Sequence, residues 1–456
     1  MSDQGMLRIA KEVKQLQKSS DLYELMNTLP WSFEIKALAI DFRDDDIRNV
    51  RALIMGPPET SYQFGFFEFS IKFGKGYPTK PPAIQALTTN KGRCRFNPNI
   101  YASGRVCLSI LGTWHGNRSE QWSSAQGLES VLISIQSLMS NNPYENEPGF
   151  ENANTSSDKE NQKNYVEKIQ HESLRLAVIE PLESSFAISA QKPVGTLCNE
   201  WLGDDDDDEW EEEEENYDPF LDLRKRRFLW YFDLYMNTIE FEEAKTSRTR
   251  NFQRMPFESA GNTMDGHFNY PELKRRLTCL REAILAETHR WPALGLDAQK
   301  EELGIAANLQ RQYEQIVEDL KRQKIFHINL CLVDGNPFLW ECTYFGQPMS
   351  HLDGGVFKFK IYLSPRFPDE QPRVFMEKPV FHIRVSKEGV MCYFPQRTEE
   401  MRHHIEAIVG ALEEESPPYD PRTTVNPAAT KLFWGSPEDR KIYNRNLRKA
   451  IEATLE

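Results

Sequence analysis

No apolar run in the 456 residues approaches the ~18–20 that a membrane helix needs. Cysteine is sparse. There are seven, an odd number, with no Cys-x-x-Cys pair, which excludes a disulfide framework and the usual zinc spacing. The opening residues, Met1-Ser2-Asp3-Gln4-Gly5, lack a basic stretch followed by an apolar one, so no secretory signal is expected. A reducing compartment, cytosol or nucleus, follows from these absences. Excess positive charge is also missing: 55 Lys/Arg face 69 Asp/Glu, a net charge of −14, which argues against a nucleic-acid partner. What is present is 39% hydrophobic and 27% charged residues, enough for packed cores. At ~150 residues per domain the length suggests about three units.

The acidity is local. Residues 1–150 hold 16 Lys/Arg against 15 Asp/Glu, and residues 305–456 hold 20 against 21. Residues 204–215 contain 11 acids interrupted only by Trp210. Like charges at that density repel and bury nothing, so this run reads as a solvated linker outside either core. Arg224-Lys225-Arg226-Arg227 follows. Charge balance with the acidic run is preferred there to a nuclear import signal.

Met6, Ile9, Val13 and Leu16 fall at helical spacing, with Arg8, Lys11, Lys14 and Lys18 on the other side. Phe67, Phe69, Ile71 and Phe73 alternate with Glu68, Ser70 and Lys72, predicting a strand with one buried face. Tyr77-Pro78-Thr79-Lys80-Pro81-Pro82 then interrupts regular structure. Residues 128–139, 165–182, 228–243 and 271–288 carry helix patterns. From residue 305 the order recurs. A helix is marked by Leu309, Tyr313, Ile316, Val317 and Leu320, a strand by Phe357, Phe359, Ile361 and Leu363, and a proline turn runs from Phe367 to Pro372. Phe73 precedes Pro78 by five positions, as Leu363 precedes Pro368. Pro78 precedes Pro82 by four, as Pro368 precedes Pro372. Asn99 precedes Cys107 by eight, as Arg384 precedes Cys392. Three shared spacings in order predict a duplicated α+β domain.

Asn97-Pro98-Asn99 and Ser103-Gly104 are turn chemistry. They place Cys107 on a loop edge beside a carboxamide. A thiol next to an amide donor is one way to build acyl transfer, with a nucleophile and a donor to the oxyanion. Spacing alone leaves open that Cys107 is simply a small apolar residue in Val106-Cys107-Leu108.

The motifs go further. The stretch Gly56-Pro57-Pro58-Glu59-Thr60-Ser61-Tyr62-Gln63-Phe64-Gly65, the Tyr77–Pro82 turn, Asn97-Pro98-Asn99, Cys107 and Trp122-Ser123-Ser124-Ala125 together resemble the ubiquitin-conjugating enzyme family. Within it the large Z-type enzymes are most similar, through Leu108-Ser109-Ile110-Leu111-Gly112-Thr113-Trp114 and Asn142-Pro143-Tyr144 with Asn146-Glu147-Pro148-Gly149-Phe150. The likeness thins through Gly266-His267-Phe268-Asn269-Tyr270 and covers residues 1 to about 290. It implies a thioester relay in which an activating enzyme passes the ubiquitin carboxyl to Cys107. A substrate lysine or a ligase cysteine then takes it. Asn99 matches the asparagine that supports the oxyanion or braces the loop. Glu147 matches the acidic gate that orients and deprotonates the lysine. By the same resemblance Asn97, Pro98, Ser109 and Trp122 are expected in the active-site loop. Arg8, Lys11 and Lys14 match the activating-enzyme face, and Thr79, Ser124 and Ala125 the ligase face. Asn97 stands where the family has His, Thr79 where it often has an apolar residue, and Ser124 where it has Pro. Residues 116–121 lengthen the loop after the cysteine.

The resemblance thus implies an α+β protein with two ubiquitin-conjugating-type domains, each an antiparallel β-meander flanked by helices. The expected boundaries are 1–198 for the catalytic domain, 199–304 for an acidic linker with a helical extension, and 305–456 for a degenerate second domain. In that second copy Phe381-His382-Ile383-Arg384 keeps only the His of the motif, Cys392 is the candidate thiol, and Asp420 a candidate acid. Arg384 is expected to face solvent or pair with Glu388, leaving Cys392 open to small electrophiles but not charged by ubiquitin. No metal or organic cofactor is implied, and no nucleic-acid or membrane partner. The expected partners are ubiquitin, its activating enzyme, a ligase and protein substrates. A non-catalytic adaptor and a conjugating enzyme for another ubiquitin-like modifier are the alternatives.

Overall fold

The computed structural model describes residues 2–21, 38–43, 46–114, 120–186, 218–245, 250–301 and 304–455. The acidic run 204–215 and residues 116–119 of the lengthened loop lie outside them. Two four-stranded antiparallel meanders organise the chain. The first comprises β1 (Leu38–Arg43), β2 (Asp46–Met55), β3 (Phe66–Lys72) and β4 (Ala83–Ala86). The second comprises β5 (Ile328–Leu332), β6 (Leu339–Phe345), β7 (Val356–Tyr362) and β8 (Arg373–Met376). Around the first lie α1 (Ser2–Asp21), α2 (Leu128–Ser137), α3 (Ser156–Glu172) and α4 (Glu180–Ser185). Next come α5 (Leu221–Lys245) and α6 (Tyr270–Glu301). Around the second sheet lie α7 (Gly304–Arg322), α8 (Met401–Glu413), α9 (Pro427–Phe433) and α10 (Pro437–Ala453).

The repeat is visible in the register. Ile54 pairs with Phe67 and Ala52 with Phe69, as Tyr344 pairs with Phe357 and Cys342 with Phe359. Two-residue alternation sends Phe67, Phe69 and Ile71 into one core with Ile9 and Val13 of α1 and Val131 and Ile135 of α2. Phe357, Phe359 and Ile361 enter a second core with Leu309, Ile405 and Ile408. Each buried phenylalanine contributes about 1.5–3 kcal/mol.

Two local expectations are corrected. The helix pattern over 165–182 is not one α-helix, because a π-helical stretch, Ser173–Ile179, separates α3 from α4. Pro181 sits in the first turn of α4. It has no N–H to donate and crowds the carbonyl one turn back, which favours the wider ladder before it. The outer face of β3 is also not open to solvent: Phe66 and Glu68 are buried on it. Helix α5 lies across that face. Phe64 stacks on Tyr231 at 3.9 Å, and Leu53, Met55 and Phe66 share a cluster with Phe228, Tyr235 and Ile239. The same cluster takes in Val390, Cys392 and Val425 of the second unit. The Tyr231 hydroxyl donates to the Arg422 carbonyl at 2.6 Å. Helix α6 approaches the outer face of the second sheet, with His289 against Tyr362 and Phe375.

The basic tetrad is taken up by this packing, and three of its charges have acid partners among the described residues; the expected balance with the run 204–215 lies outside them. Arg224 pairs with Asp218 and with Glu68 (2.6 Å), Lys225 with Glu287 (2.8 Å) and Arg226 with Asp222 (2.9 Å). The Arg227 guanidinium lies over the Trp230 and Phe394 rings. Asp222 also pairs with Arg373 on β8 at 2.7 Å, tying α5 to the second sheet.

Two buried histidines make the second core sensitive to acid. The His404 ring faces the Tyr393 hydroxyl through Nδ1 and the Thr398 carbonyl through Nε2. His382 Nδ1 accepts from the Arg384 backbone N–H at 3.2 Å. Both arrangements suit the neutral ring. Burial pushes His382 down to about 3 and His404 down to about 4. An unfolded histidine binds its proton near ~6.5. Below that pH the unfolded chain takes up protons that the native chain refuses. Stability is therefore full above ~6.5 and is lost as pH falls toward about 4, at roughly 1.4 kcal/mol per pH unit for each ring. Urea unfolding between pH ~7 and ~5 should show this slope, and His404→Gln should remove about half of it. A flat profile over that interval would mean that the rings are charged in the native protein.

Candidate active site

After β4 the chain runs through irregular backbone from Asn97 to Leu108. Short antiparallel bridges, Asn97 with Ile100 and Ile100 with Val106, fold it back on itself. Asn97 is fully buried and anchors the loop. Its Nδ2 donates to the Leu138 carbonyl (2.8 Å) and to the Tyr62 hydroxyl (3.1 Å), and its Oδ1 accepts from the Asn99 N–H (2.9 Å). A carboxamide supplies both donors and an acceptor, which neutral imidazole cannot match with one donor and one acceptor. Pro98 lies between the two asparagines, and its carbonyl accepts from Arg95 at 2.7 Å.

Asn99 and Cys107 clasp each other across eight residues. The Cys107 N–H donates to the Asn99 carbonyl at 2.8 Å, and Asn99 Nδ2 donates to the Cys107 carbonyl at 2.9 Å. In this state the Asn99 amide braces the loop. Cys107 is 5% exposed. Tyr101 lies on the same loop, and burial first and the nearby Cys107 second push its hydroxyl above the ordinary tyrosine range. Thr113 closes the far side, accepting from the Leu108 N–H and donating to the Val106 carbonyl. Ser109 begins a single turn, Ser109–Leu111, beside Glu120.

Glu147 follows the turn Pro143–Asn146. Its Oε2 accepts from Arg95 at 2.9 Å, and the carboxylate is 22% exposed. Glu145, the neighbouring acid, is exposed. Trp122 Nε1 donates to the Pro78 carbonyl at 2.8 Å, and its ring packs on Tyr77. Arg8 pairs with Glu12 and reaches the Gln126 carbonyl at 3.3 Å. These bonds draw α1, the proline turn and the loop before α2 into one surface. Lys11, Lys14, Thr79, Ser124 and Ala125 are exposed. Of these, Thr79 bonds within its own turn, to the Gly76 carbonyl.

Arg95, Tyr101 and Thr113 were not singled out from the sequence. A charged residue between Cys94 and Phe96, both buried, is the signal that marks Arg95.

The second copy keeps the backbone clasp: the Cys392 N–H donates to the Arg384 carbonyl at 2.9 Å. Its side chains differ. Arg384 does not reach solvent or Glu388. It donates to the Thr423 carbonyl (2.7 Å) and pairs with Glu414 (3.1 Å). Cys392 has no exposed surface and lies in the cluster under α5. Burial raises its thiol above the ordinary range, and this outweighs the nearby Arg384 and Arg227. The expectation of a reactive Cys392 is thereby reversed, because a thiolate is too costly there. Asp420 is taken up by Arg422 at 2.8 Å and caps its own turn, so it offers no acid. Among the described residues no cluster of His, Cys, Asp and Glu could hold a metal, and no helix is long and apolar enough to cross a membrane.

A family model described as ubiquitin-conjugating enzyme matches the chain twice, over residues 8–173 and 308–413. Ubiquitin-conjugating enzyme E2 Z of Xenopus tropicalis is 38% identical over 245 residues, covering 54% of this chain and 65% of that protein. The Danio rerio protein of that name is 51% identical over 138 residues, covering 30% of this chain and 40% of that protein. A solved E2 domain of a Toxoplasma gondii ubiquitin conjugating enzyme is 25% identical, covers 38% of this chain and 98% of its own, and superposes with a TM-score of 0.28. The chain spans less than two thirds of the length of either curated relative.

Proposed function

The chain belongs to the ubiquitin-conjugating enzyme family, and from that premise we propose that it accepts ubiquitin as a thioester on Cys107 and transfers it to lysine or to a ligase cysteine. The observation that carries this reading is the reciprocal clasp between Asn99 and Cys107. In loading, the Cys107 sulphur attacks the activated ubiquitin carbonyl, and the activating enzyme's thiolate leaves. ATP is spent by that enzyme, so no cofactor is needed here. In transfer, the lysine nitrogen forms a C–N bond to the ubiquitin carbonyl carbon. The C–S bond breaks, and its electron pair returns to Cys107 as thiolate. The excess proton on the amine passes to Glu147 and then to water or the thiolate. The surface of Arg8, Lys11 and Lys14 with Thr79, Ser124 and Ala125 is assigned to the activating enzyme and the ligase. Absent paired cysteines among the described residues, a reducing compartment, cytosol or nucleus, is the proposed location. The test is to supply activating enzyme, ATP and ubiquitin and to look for an adduct that reductant removes; no adduct would favour the adaptor reading.

Asn99 is assigned to transfer more than to loading. Its amide must leave the Cys107 carbonyl, or share itself, to meet the oxyanion. Asn99→Ala is expected to charge but to discharge into free lysine at least ~10²-fold more slowly. Single-turnover discharge measures this, and an unchanged rate would leave Asn99 only its loop-bracing bond.

Residues 305–456 are assigned to a scaffold that does not conjugate. Support comes from the buried Cys392 and the occupied Arg384.

A further inference from the structure

Between α5 and α6, residues 250–268 form a strap with no sequence pattern of its own. Bridges between Asn251 and His267 and between Ser259 and Asn262 fold it on itself, and Met264 bridges to Cys94. The strap lies along the active-site loop. Arg95 N–H donates to the Thr263 carbonyl at 3.2 Å, and Ala102 N–H to Asn262 Oδ1 at 3.1 Å.

Arg95 is where strap and site meet. Its side chain is 3% exposed. One terminal nitrogen, Nη2, donates both to the Pro98 carbonyl (2.7 Å) and to Glu147 Oε2 (2.9 Å). The other, Nη1, donates to the Phe257 carbonyl at 3.1 Å. The guanidinium lies over the Tyr101 ring at 5.0 Å and the Phe257 ring at 5.2 Å. One cation thus touches the Asn-Pro-Asn turn, the Glu147 carboxylate, the Tyr101 ring and the strap.

Core stability does not account for it. Burying a guanidinium costs several kcal/mol before its partners compensate, and an apolar side chain of similar volume often serves a core as well or better. What an apolar residue cannot do is fix a carboxylate's direction. A planar fork with several donors can.

We propose that Arg95 is a positioning residue for lysine transfer, holding Glu147 about the thioester while the strap at Phe257 and Thr263 holds Arg95. The proposal rests on the assignment of Cys107 and Glu147 given above. Arg95 takes up Glu147 Oε2, which directs the remaining oxygen, Oε1, to the incoming amine. As the lysine nitrogen bonds to the carbonyl carbon and sulphur departs with the C–S electron pair, the amine proton has a fixed acceptor. Loading needs no such acceptor, so Arg95 should matter to discharge and not to charging.

The experiment uses the full chain in single-turnover form, with Arg95→Ala, Arg95→Lys, Glu147→Gln and the double variants. Charging should stay within about two-fold of wild type in every case, and it also reports that the variants fold. Arg95→Ala and Glu147→Gln should each slow discharge into free lysine about 10²-fold or more, the lower end of what a positioned general base supplies. Arg95→Lys, which keeps the charge but not the fork, should recover part of the rate. Adding Arg95→Ala or Arg95→Lys to Glu147→Gln should change discharge by no more than about two-fold, because residues acting as a unit are not additive. Normal charging with additive losses, or a normal discharge rate in Glu147→Gln or Arg95→Ala, would overturn this proposal alone. Loss of charging in step with discharge in both Arg95 variants would show a merely structural role. No charging in wild type would overturn the assignment of Cys107 and this proposal with it.

Discussion

Cys107→Ala is expected to abolish the reductant-sensitive ubiquitin adduct completely, while Cys392→Ser leaves it at wild-type level. Of the described cysteines, Cys107 alone lies in the Asn-Pro-Asn loop. Cys94 and Cys342 are buried in the cores, and burial raises both thiols, Cys94 well above the ordinary range and Cys342 to about 12. Cys392 is sealed under α5. Cys279 is exposed, but on α6. Cys107→Ser sharpens the test: an oxygen ester on Ser would resist reductant and yield to alkali, because only the thioester exchanges with thiols. Undiminished charging of Cys107→Ala would sink the assignment. A band lost only in Cys392→Ser would move the chemistry to the second unit.

Glu258→Ala is expected to destabilise the first unit by about 3–5 kcal/mol, the usual cost of removing one partner from a buried ion pair. Lys168 and Glu258 are both fully buried, 2.6 Å apart. Lys168 also donates to the Gln253 carbonyl, and Glu258 Oε2 accepts from the Met255 N–H. Burial pulls Lys168 below the ordinary lysine range, and Glu258 partly restores it. Without Glu258 the amine falls further. Its neutral form then suffices as pH rises, so the deficit should shrink toward alkaline pH and be largest at neutral pH. Replacing both residues with Met should cost less than either single change, since no charge is left stranded. Denaturant unfolding of Glu258→Ala, Lys168→Met and the double Met variant measures this. A deficit that stays the same across pH, or a double variant worse than both singles, would show that packing and not charge governs the site.

Much of the fold was legible because it rests on two-residue alternation. Phe67-x-Phe69-x-Ile71 and Phe357-x-Phe359-x-Ile361 occupy the positions their spacing predicts, and the proline turns mark the same place in both sheets. The loop Asn97-Pro98-Asn99 to Cys107 was legible for a different reason: turn residues dictate local backbone. Long-range partners were not. Nothing in Arg95 names Glu147, and nothing in Arg224 names Glu68. The burial of the outer sheet face had one overlooked signal, Phe228-Leu229-Trp230-Tyr231-Phe232, because five bulky residues in succession leave a helix no solvent side. The strap was invisible because its residues follow no period. They are held by single bridges and by backbone bonds to another segment. The charge of Arg384 next to Cys392 suggests a reactive thiol, but its environment is decided by α5, far away in sequence.

The strap has a consequence for the order in which the chain is made. Lys168 leaves the ribosome 90 residues before Glu258, an interval of roughly 5–20 s at ~5–20 residues per second. During that time the first sheet, α1, α2, Cys107 and Asn99 are all available, yet the ammonium of Lys168 has no carboxylate and Cys94 lacks its bridge to Met264. The nascent first unit must therefore wait half-closed, with Phe64 lacking the Tyr231 ring it stacks on until α5 emerges. A fragment ending where α4 ends would be held in that same waiting state, with every residue of the thioester loop and none of the wall behind it.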